Sequence, residues 1–207
     1  MTPVATLIVL GSLLTGVAAT DEPPKSVQQL FEAGQYQQAV DVARAQLEAD
    51  PPAGADVVYL LAQSLIKLDD KGGAREALSR LVKLEDAQDT WSAIAQSNIA
   101  VIDGDRDSAL DHARRAVELS PDMFHGHYQL GLVEALRSNF DASSMALERA
   151  CELDPTFAYA HYNAGMAWYR ARRLDKMATH FEAFIRLAPE APERPAVEQL
   201  MKSIRRR

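Results

Sequence analysis

Two consecutive stretches decide the fold of this chain: FHGHYQLGLVEALRSNFDASSMALERACELDPTF (residues 124–157) and AYAHYNAGMAWYRARRLDKMATHFEAFIRLAPEA (residues 158–191). They align without a gap over 34 residues: Gly131 recurs as Gly165, and a proline stands third from the end of each stretch. Self-similarity at a period of this length is typical of stacked supersecondary units that contact mainly their neighbours. The period therefore predicts a repeat array instead of one closed core.

Helical periodicity extends the array towards the amino terminus. Apolar residues recur at spacings of three and four, as at Leu61, Leu65 and Leu68, which is the pattern of an amphipathic helix. No segment shows the sustained apolar–polar alternation of a strand, so the chain is predicted to be all-α. The predicted helices, after a short one that starts at Ser26, are Tyr36–Ala49, Val57–Leu68, Arg75–Leu84, Thr90–Ile102, Asp107–Leu119, Phe124–Leu136, Ala142–Leu153, Ala158–Arg170, Asp175–Leu187 and Ala196–Arg207.

Composition limits the classes of function. The 207 residues carry a formal net charge of −7, and 47% of them are hydrophobic, which is enough for a sizeable core. The acidic balance argues against nucleic acid as a partner, because phosphate recognition needs a basic face. Cys151 is the only cysteine, so the chain can form no disulfide within itself.

The amino-terminal segment predicts export. Val4–Ala19 is uncharged and apolar, and small residues place a signal-peptidase site after Ala19. We interpret residues 1–19 as a signal peptide and residues 20–25 as a linker, which locates the mature chain outside the cytoplasm, in the periplasm or secreted. The lack of Lys or Arg before the apolar run counts against this interpretation. An uncleaved membrane anchor and a buried or disordered tail stay open, although the run is shorter than the roughly 20 residues of a bilayer-spanning helix.

The repeated stretches and the helices before them resemble the tetratricopeptide repeat family. Its signature has a large–small pair in the first helix, alanines in the second helix and a closing proline. The matching residues are His127, Leu130, Gly131, Leu147, Ala150 and Pro155, then His161, Gly165, Trp168, Phe181 and Pro189, and before them Ser97, Ala109, Ala116 and Pro121. The resemblance covers Ser26–Ala191 and implies an α-solenoid, a right-handed superhelix of about five helix-turn-helix repeats. The implied units are residues 20–53, 54–89, 90–123, 124–157 and 158–191, with a capping helix at 196–207.

Three departures from the family pattern carry expectations. The unit at residues 54–89 fits only with a longer turn at Asp69–Gly73. Met177 and Phe184 replace the usual alanines of the last unit, and we expect Phe184 to pack against the capping helix, because terminal repeats are often atypical. Glu134 stands where a large apolar residue is usual, so it either pairs with a nearby base or loosens that helix contact.

The resemblance implies that the first helices line a concave groove that binds a protein or peptide partner. The residues predicted to form this site are Trp91, Asn98, His125, Tyr128, Tyr159, Tyr162, Asn163, Tyr169 and Arg170. We expect the four tyrosines to form a contiguous aromatic strip, with Tyr128 and Tyr162 partly exposed, on a helical face shared with Leu132 and Met166. Alternatively, these residues pack between units or are covered by the chain's own tail. A carboxylate clamp like that of some family members is not expected, because only Asn98 matches it.

No catalytic, metal or cofactor site is predicted. His125 and His127 lie two residues apart and do not share a helix face, while His161 takes the same packing position as His127. Cys151 has no marked activating base, and Asp103–Asp107 lacks the glutamate that completes a calcium loop. We therefore predict a non-enzymatic scaffold outside the cytoplasm, with no small-molecule substrate. The alternative is a membrane-tethered adaptor or assembly factor of a cell-envelope complex.

Overall fold

The structure, a computed structural model, describes residues 25–50, 52–83 and 89–205, without the side chains of Asp89 and Arg205. The predicted signal peptide and the linker up to Pro24 lie outside the described residues. Within them the chain forms helices and no strand, which confirms the all-α prediction. The helices are α1 Val27–Glu32, α2 Tyr36–Leu47, α3 Ala55–Lys67, α4 Lys71–Lys83, α5 Asp89–Asp103, α6 Arg106–Leu119, α7 Phe124–Leu136, α8 Phe140–Leu153, α9 Ala158–Arg170, α10 Leu174–Leu187 and α11 Arg194–Arg205.

The first ten helices form five consecutive helix-turn-helix units, and α11 follows the last one. Each helix packs mainly against its neighbours in the chain, and the first helices of adjacent units also touch, as α5 and α7 do. This arrangement is the predicted α-solenoid, in which a unit buries its apolar face against the next. In the described part of the chain, no helix has both the length and the apolar character needed to cross a membrane.

Every unit makes the same turn between its two helices. The residue two positions before the second helix has a positive φ, namely Gly34 (73°), Asp69 (60°), Gly104 (80°), Ser138 (63°) and Arg172 (61°). In all five units the N–H of the next residue donates a hydrogen bond to the carbonyl five residues earlier at 2.9 Å, as Gln35 does to Leu30. This hydrogen bond closes a Schellman-type helix end. The backbone alone therefore identifies five equivalent units.

The prediction of a longer turn at Asp69–Gly73 is wrong. Helix α4 begins at Lys71, so this turn has the same length as the others, and the glycine pair lies in the first helical turn. The Asp70 carboxylate accepts a hydrogen bond from the Gly73 N–H at 2.8 Å, which satisfies a free donor at the start of α4. This cap helps to offset the cost of glycine in a helix, about 1 kcal/mol per residue relative to alanine.

In the fourth and fifth units a glycine lies where the first helix contacts the second. A Cβ atom on Gly165 would lie 2.5 Å from two ring carbons of Phe181, and one on Gly131 would overlap Leu147. Both partner side chains are fully buried and have no room to move aside. The absence of a side chain at these two positions is therefore what lets α7 contact α8, and α9 contact α10.

Glu134 pairs with a base, the first of its two expected alternatives. Its buried carboxylate lies 3.6 Å from the Arg114 guanidinium and accepts a hydrogen bond from Asn139 Nδ2 at 3.1 Å. The partners come from the preceding unit and from the turn of its own unit. The charge at this apolar position is thus compensated by polar contacts, as a buried carboxylate requires.

The last unit and α11 share a separate core. Met177 and Phe184 are fully buried and pack in one cluster with Val197 and Met201 of α11. The expected contact between Phe184 and the capping helix is confirmed. The helix begins at Arg194, slightly before the predicted start, and the side chain of its final residue, as well as the two arginines beyond it, lie outside the description.

The first unit also contacts the fifth, so the array closes on itself. The Phe31 and Tyr159 ring centroids are 5.0 Å apart, and the Glu32 carboxylate accepts a hydrogen bond from the Ala158 N–H at 2.9 Å. A carboxylate is favoured at this place by the dipole of α9. We call this contact the terminal clasp and define it by Phe31, Glu32, Tyr36, Lys67, Ala158, Tyr159 and Glu193.

A chain of hydrogen bonds extends the terminal clasp to the segment before α11. Tyr159 Oη donates to Glu193 at 2.8 Å and lies 3.1 Å from Tyr36 Oη. Because Tyr159 gives its one hydroxyl proton to the carboxylate, Tyr36 must be the donor between the two tyrosines. The Lys67 ammonium lies 3.1 Å from Glu193 and 4.8 Å from the Tyr159 ring centroid. Four segments of the chain therefore meet at Tyr159.

Candidate functional site

The first helices of the second to fifth units line a cavity of about 450 Å³. Its walls are largely apolar, with Val101, Leu132, Ala135 and Met166 among the lining residues. Among the described residues that line it, only Arg170 has a formal charge. The volume lies within the range of about 300–1,000 Å³ that is typical of ligand pockets. The cavity can therefore accept a ligand that is mostly apolar and offers a few polar groups.

Four amide side chains line this cavity: Gln63, Asn98, Gln129 and Asn163. Asn98 Nδ2 donates to the Ile94 carbonyl at 2.9 Å, and Asn163 Nδ2 donates to the Tyr159 carbonyl at 2.8 Å. Because a carbonyl can only accept, these contacts fix the orientation of both amides. Asn98 Oδ1 then accepts from Gln63 Nε2 at 3.0 Å. The NH₂ groups are thus bound to the protein, and the oxygens of Gln63 and Asn163 have no partner among the described residues.

Gln129 leaves a buried acceptor unpaired. Its side chain is 1% exposed, and its Nε2 donates to Ser97 Oγ at 3.0 Å. Ser97 gives its own proton to the Ala109 carbonyl at 2.8 Å, so the amide cannot be turned around without losing its bond to Ser97. Gln129 Oε1 consequently has no hydrogen-bond partner. An unmet buried acceptor costs about 1–3 kcal/mol, and because this oxygen is enclosed by protein atoms, a ligand could reach it only after the Gln129 side chain moves.

The prediction of an exposed aromatic strip is wrong for two of its four tyrosines. Tyr128 is 5% exposed and Tyr159 is 2% exposed, whereas Tyr162 is half-buried and Tyr169 is 36% exposed. Tyr128 packs edge-on against Phe157 at 5.2 Å between ring centroids, and Tyr159 is enclosed by the terminal clasp. The alternative of packing between units therefore describes Tyr128 and Tyr159. Burial raises the pKa of both hydroxyls, which stay protonated.

Trp91 and His125 belong to an aromatic cluster outside the residues that line the cavity. Their ring centroids are 4.5 Å apart, and the buried Tyr59 ring lies 5.2 Å from His125. Burial lowers the pKa of His125 to about 4, so its ring is neutral at pH 7. Both side chains are half-buried. They act in the structure as packing groups between the second, third and fourth units.

Three of the predicted site residues do line the cavity: Asn98, Asn163 and Arg170. The Arg170 guanidinium lies 4.3 Å from the centroid of the Phe140 ring, a cation–π distance. The list of predicted site residues favoured tyrosines. Helical spacing placed Leu132 and Met166 on the same face, four residues after Tyr128 and Tyr162, but the list did not include them, and Gln63 was missed. That the predicted residues bind a partner stays a prediction.

Two family models match the chain, both described as tetratricopeptide repeat. One covers residues 30–96, and the other covers residues 94–156 and 137–192. The matches therefore include every helix-turn-helix unit of the structure. No curated protein sequence matches the chain.

Solved structures that are similar to this chain include one with a TM-score above 0.5. TTC0263, a thermophilic TPR protein in Thermus thermophilus, has a TM-score of 0.61 and 22% identity, covering 86% of this chain and 94% of its own. MamA has a TM-score of 0.47 and 20% identity, covering 80% and 96%. YrrB, a TPR protein with an unusual peptide-binding site, has a TM-score of 0.46 and 20% identity, covering 79% and 83%. At such identities the likeness to TTC0263 concerns the fold alone.

Proposed function

Because the chain belongs to the tetratricopeptide repeat family, a family of protein-interaction scaffolds, we propose that it is a non-catalytic scaffold that binds an extended peptide segment of a partner protein. The binding site is the cavity between α3, α5, α7 and α9. The observation that carries this proposal is the largely apolar lining of the cavity, interrupted by four amide side chains. A peptide backbone supplies N–H donors at regular intervals, and its side chains can fill apolar pockets.

The cavity lining favours a ligand that donates hydrogen bonds and also has an apolar part. The amide oxygens of Gln63 and Asn163 have no partner among the described residues and can accept hydrogen bonds, so the ligand should donate them. Leu132 and Met166 offer apolar contact area between the amides. Arg170 provides one positive charge next to Met166, which favours a carboxylate or a carbonyl on that part of the ligand. An extended peptide with an apolar side chain meets all three conditions.

We expect Met166→Glu to weaken peptide binding by about tenfold or more, because glutamate removes apolar contact area and would pair with Arg170, which takes up the one positive charge of the lining. Peptides are selected from a random displayed library on the full chain, and the affinity of a selected peptide is measured by fluorescence anisotropy. Met145→Glu is the matched control, since Met145 is 66% exposed on α8 and does not line the cavity. It should bind the peptide as the parent does.

A Gln63→Met variant tests the contribution of an amide oxygen separately. It removes the amide and keeps an apolar side chain of similar length, so the selected peptide should bind several-fold more weakly. Circular dichroism of each variant checks that the helices are intact. The proposal is contradicted if no peptide is enriched on the parent, or if Met166→Glu binds the selected peptide as tightly as the parent.

We further propose that the scaffold acts outside the cytoplasm after removal of residues 1–19. The support is the uncharged apolar run up to Ala19, followed by an acidic linker. Amino-terminal sequencing of the protein from the periplasm or the culture medium should begin at Thr20. Ala19→Arg should block this processing, because signal peptidase needs a small residue before the cut. An intact amino terminus in the membrane fraction would instead support the tethered adaptor of a cell-envelope complex.

A further inference from the structure

Three metal-ligating side chains meet at the interface between the fourth and fifth units. Cys151 lies near the end of α8, His161 in α9 and His180 in α10, so no short sequence motif joins them. The Cys151 sulfur and one nitrogen of each ring all lie within 4.8 Å of one another. Cys151 and His180 are buried, whereas His161 is half-buried and leaves a route to solvent. The expectation of no metal site rested on the three histidines at 125, 127 and 161 and did not include this group.

The hydrogen bonds of His161 prepare one of its nitrogens for a metal. Its Nε2 lies 3.2 Å from the Pro155 carbonyl, which can only accept, so Nε2 carries the proton. In the neutral ring the lone pair is then on Nδ1, which accepts a hydrogen bond from His180 Nδ1 at 3.3 Å in the metal-free chain. A backbone carbonyl that orients the second ring nitrogen is the usual support of a metal-bound histidine.

The separation of the two rings matches a tetrahedral site. Two Zn–N bonds of about 2.0–2.1 Å at the tetrahedral angle hold their nitrogens roughly 3.3–3.4 Å apart. The observed distance between the two Nδ1 atoms is 3.3 Å. A zinc-bound sulfur would lie roughly 3.6 Å from each nitrogen, so the Cys151 sulfur, which lies within 4.8 Å of both, would have to approach them by up to about 1.2 Å.

The preceding interface shows what packing alone requires at these three positions. One repeat earlier, Val117, His127 and Ala146 take the places of Cys151, His161 and His180. His127 makes the same contact, with its Nε2 2.8 Å from the Pro121 carbonyl, but the other two residues are aliphatic. Packing therefore explains the histidine of the first helix in both units. It does not explain why a thiol and a second imidazole replace valine and alanine at the later interface.

We propose that Cys151, His161 and His180 bind one Zn²⁺ ion, with solvent as the fourth ligand on the side of His161. The sulfur and imidazole donors suit a borderline-soft cation and exclude Ca²⁺ and Mg²⁺, which require oxygen ligands. On binding, the Cys151 S–H bond breaks, the proton passes to solvent, and the sulfur electron pair forms the Zn–S bond. The proton on His180 Nδ1 leaves to solvent while His180 Nε2 takes one up, which frees the Nδ1 electron pair for the metal and keeps the ring neutral. No oxidant or reductant is needed. The ion would join α8 of the fourth unit to both helices of the fifth.

The local charges are compatible with this site in the metal-free chain. Burial lowers the pKa of His180 to about 4 and lowers that of His161, so both rings are neutral at pH 7. Burial raises the pKa of the Cys151 thiol to about 12, and the Glu148 carboxylate adds to this rise. Glu148 is itself paired with Lys176 at 2.8 Å. A divalent cation would reverse the effect on the thiol, because a coordinating thiol is deprotonated by the metal.

Cobalt titration of the full chain, prepared metal-free with a reductant, tests the proposal. We expect one equivalent of Co²⁺ to give the intense visible bands of a tetrahedral site together with a thiolate-to-cobalt charge-transfer band, and Zn²⁺ to displace it. Cys151→Val should abolish the charge-transfer band. Loss of a group that only orients a metal ligand weakens metal binding by roughly 10–100-fold. His180→Ala removes a ligand itself, so it should weaken Co²⁺ binding by at least that factor. Both substitutions install the residue that the preceding interface uses, so the variants should fold.

His127→Gln is the matched control, because His127 has the position and the carbonyl contact of His161 without the two partners. It should bind Co²⁺ as the parent does. A parent chain without a thiolate-to-cobalt band would overturn the proposal. So would a band that survives both Cys151→Val and His180→Ala, or one that His127→Gln removes to the same extent. None of these outcomes depends on peptide binding in the cavity.

Discussion

Gly165→Leu should destabilise the protein by about 3 kcal/mol or more, at the upper end of what overpacking costs. Even a Cβ atom at this position would lie 2.5 Å from ring carbons of Phe181, which is 0% exposed and cannot rotate away. The remaining atoms of leucine would force α9 and α10 apart. Because α9 also packs on α8, the loss should spread to the neighbouring unit. Urea denaturation followed by circular dichroism measures the free energy of unfolding.

Gly126→Ala and Gly165→Ala form the matched pair for this prediction. Both glycines are buried in first helices, but a Cβ atom on Gly126 would meet its nearest neighbours at 3.5 Å, an ordinary contact distance. Alanine at position 126 should therefore be neutral or stabilising by up to about 1 kcal/mol, through its higher helix propensity. Equal free energies of unfolding for the two alanine variants would show that the close contact at Gly165 is not what limits packing.

We expect Tyr159→Ala to lower the free energy of unfolding by about 3–5 kcal/mol, the largest loss for truncation of a single aromatic residue. The ring is 2% exposed and contacts Phe31 of the first unit and Phe184 of the last second helix. Its removal leaves a cavity and takes the hydroxyl partner from Tyr36 and Glu193. The terminal clasp should then open, and small-angle X-ray scattering should record a larger radius of gyration.

The control is Tyr169→Ala in the same helix. Tyr169 is 36% exposed and outside the terminal clasp, so its loss should change stability by no more than about 0.5 kcal/mol. Thermal unfolding and scattering are measured for both variants. If Tyr159→Ala keeps the scattering profile of the parent and loses no more stability than Tyr169→Ala, the first and fifth units do not hold each other.

Local patterns in the sequence were sufficient to predict the helices. Apolar spacing predicted α7 as Phe124–Leu136 and α9 as Ala158–Arg170, the same bounds as in the structure. The error at Asp69–Gly73 arose because two glycines in a row favour a turn. In the structure Asp70 caps α4, and residues such as Ala74 and Ala77 are buried in the core, which together outweigh the weak helix propensity of the pair.

The candidate site was harder to predict because its exposure depends on contacts between distant units. Helical spacing places Tyr159 and Tyr162 on neighbouring positions of one face, but it cannot tell which of them another unit covers. Tyr159 is covered by Phe31 and Tyr36, more than 120 residues earlier in the chain. Met166 and Arg170, which lie further along α9, line the cavity instead. A repeat pattern describes one interface and says nothing about whether the array closes.

The terminal clasp also affects the order of events as the chain is made. An open repeat array can fold progressively, since each new unit needs only the unit before it. Here Tyr36 and Tyr159 are 123 residues apart in the sequence. Closing so long a loop has a large entropy cost, and we expect the contact to form only after the intervening units have folded. During synthesis, Phe31 and Tyr36 therefore stay without their final cover until α9 has left the ribosome. Closure of the clasp is thus a late folding step, and substitutions in it should speed unfolding while leaving the folding rate nearly unchanged.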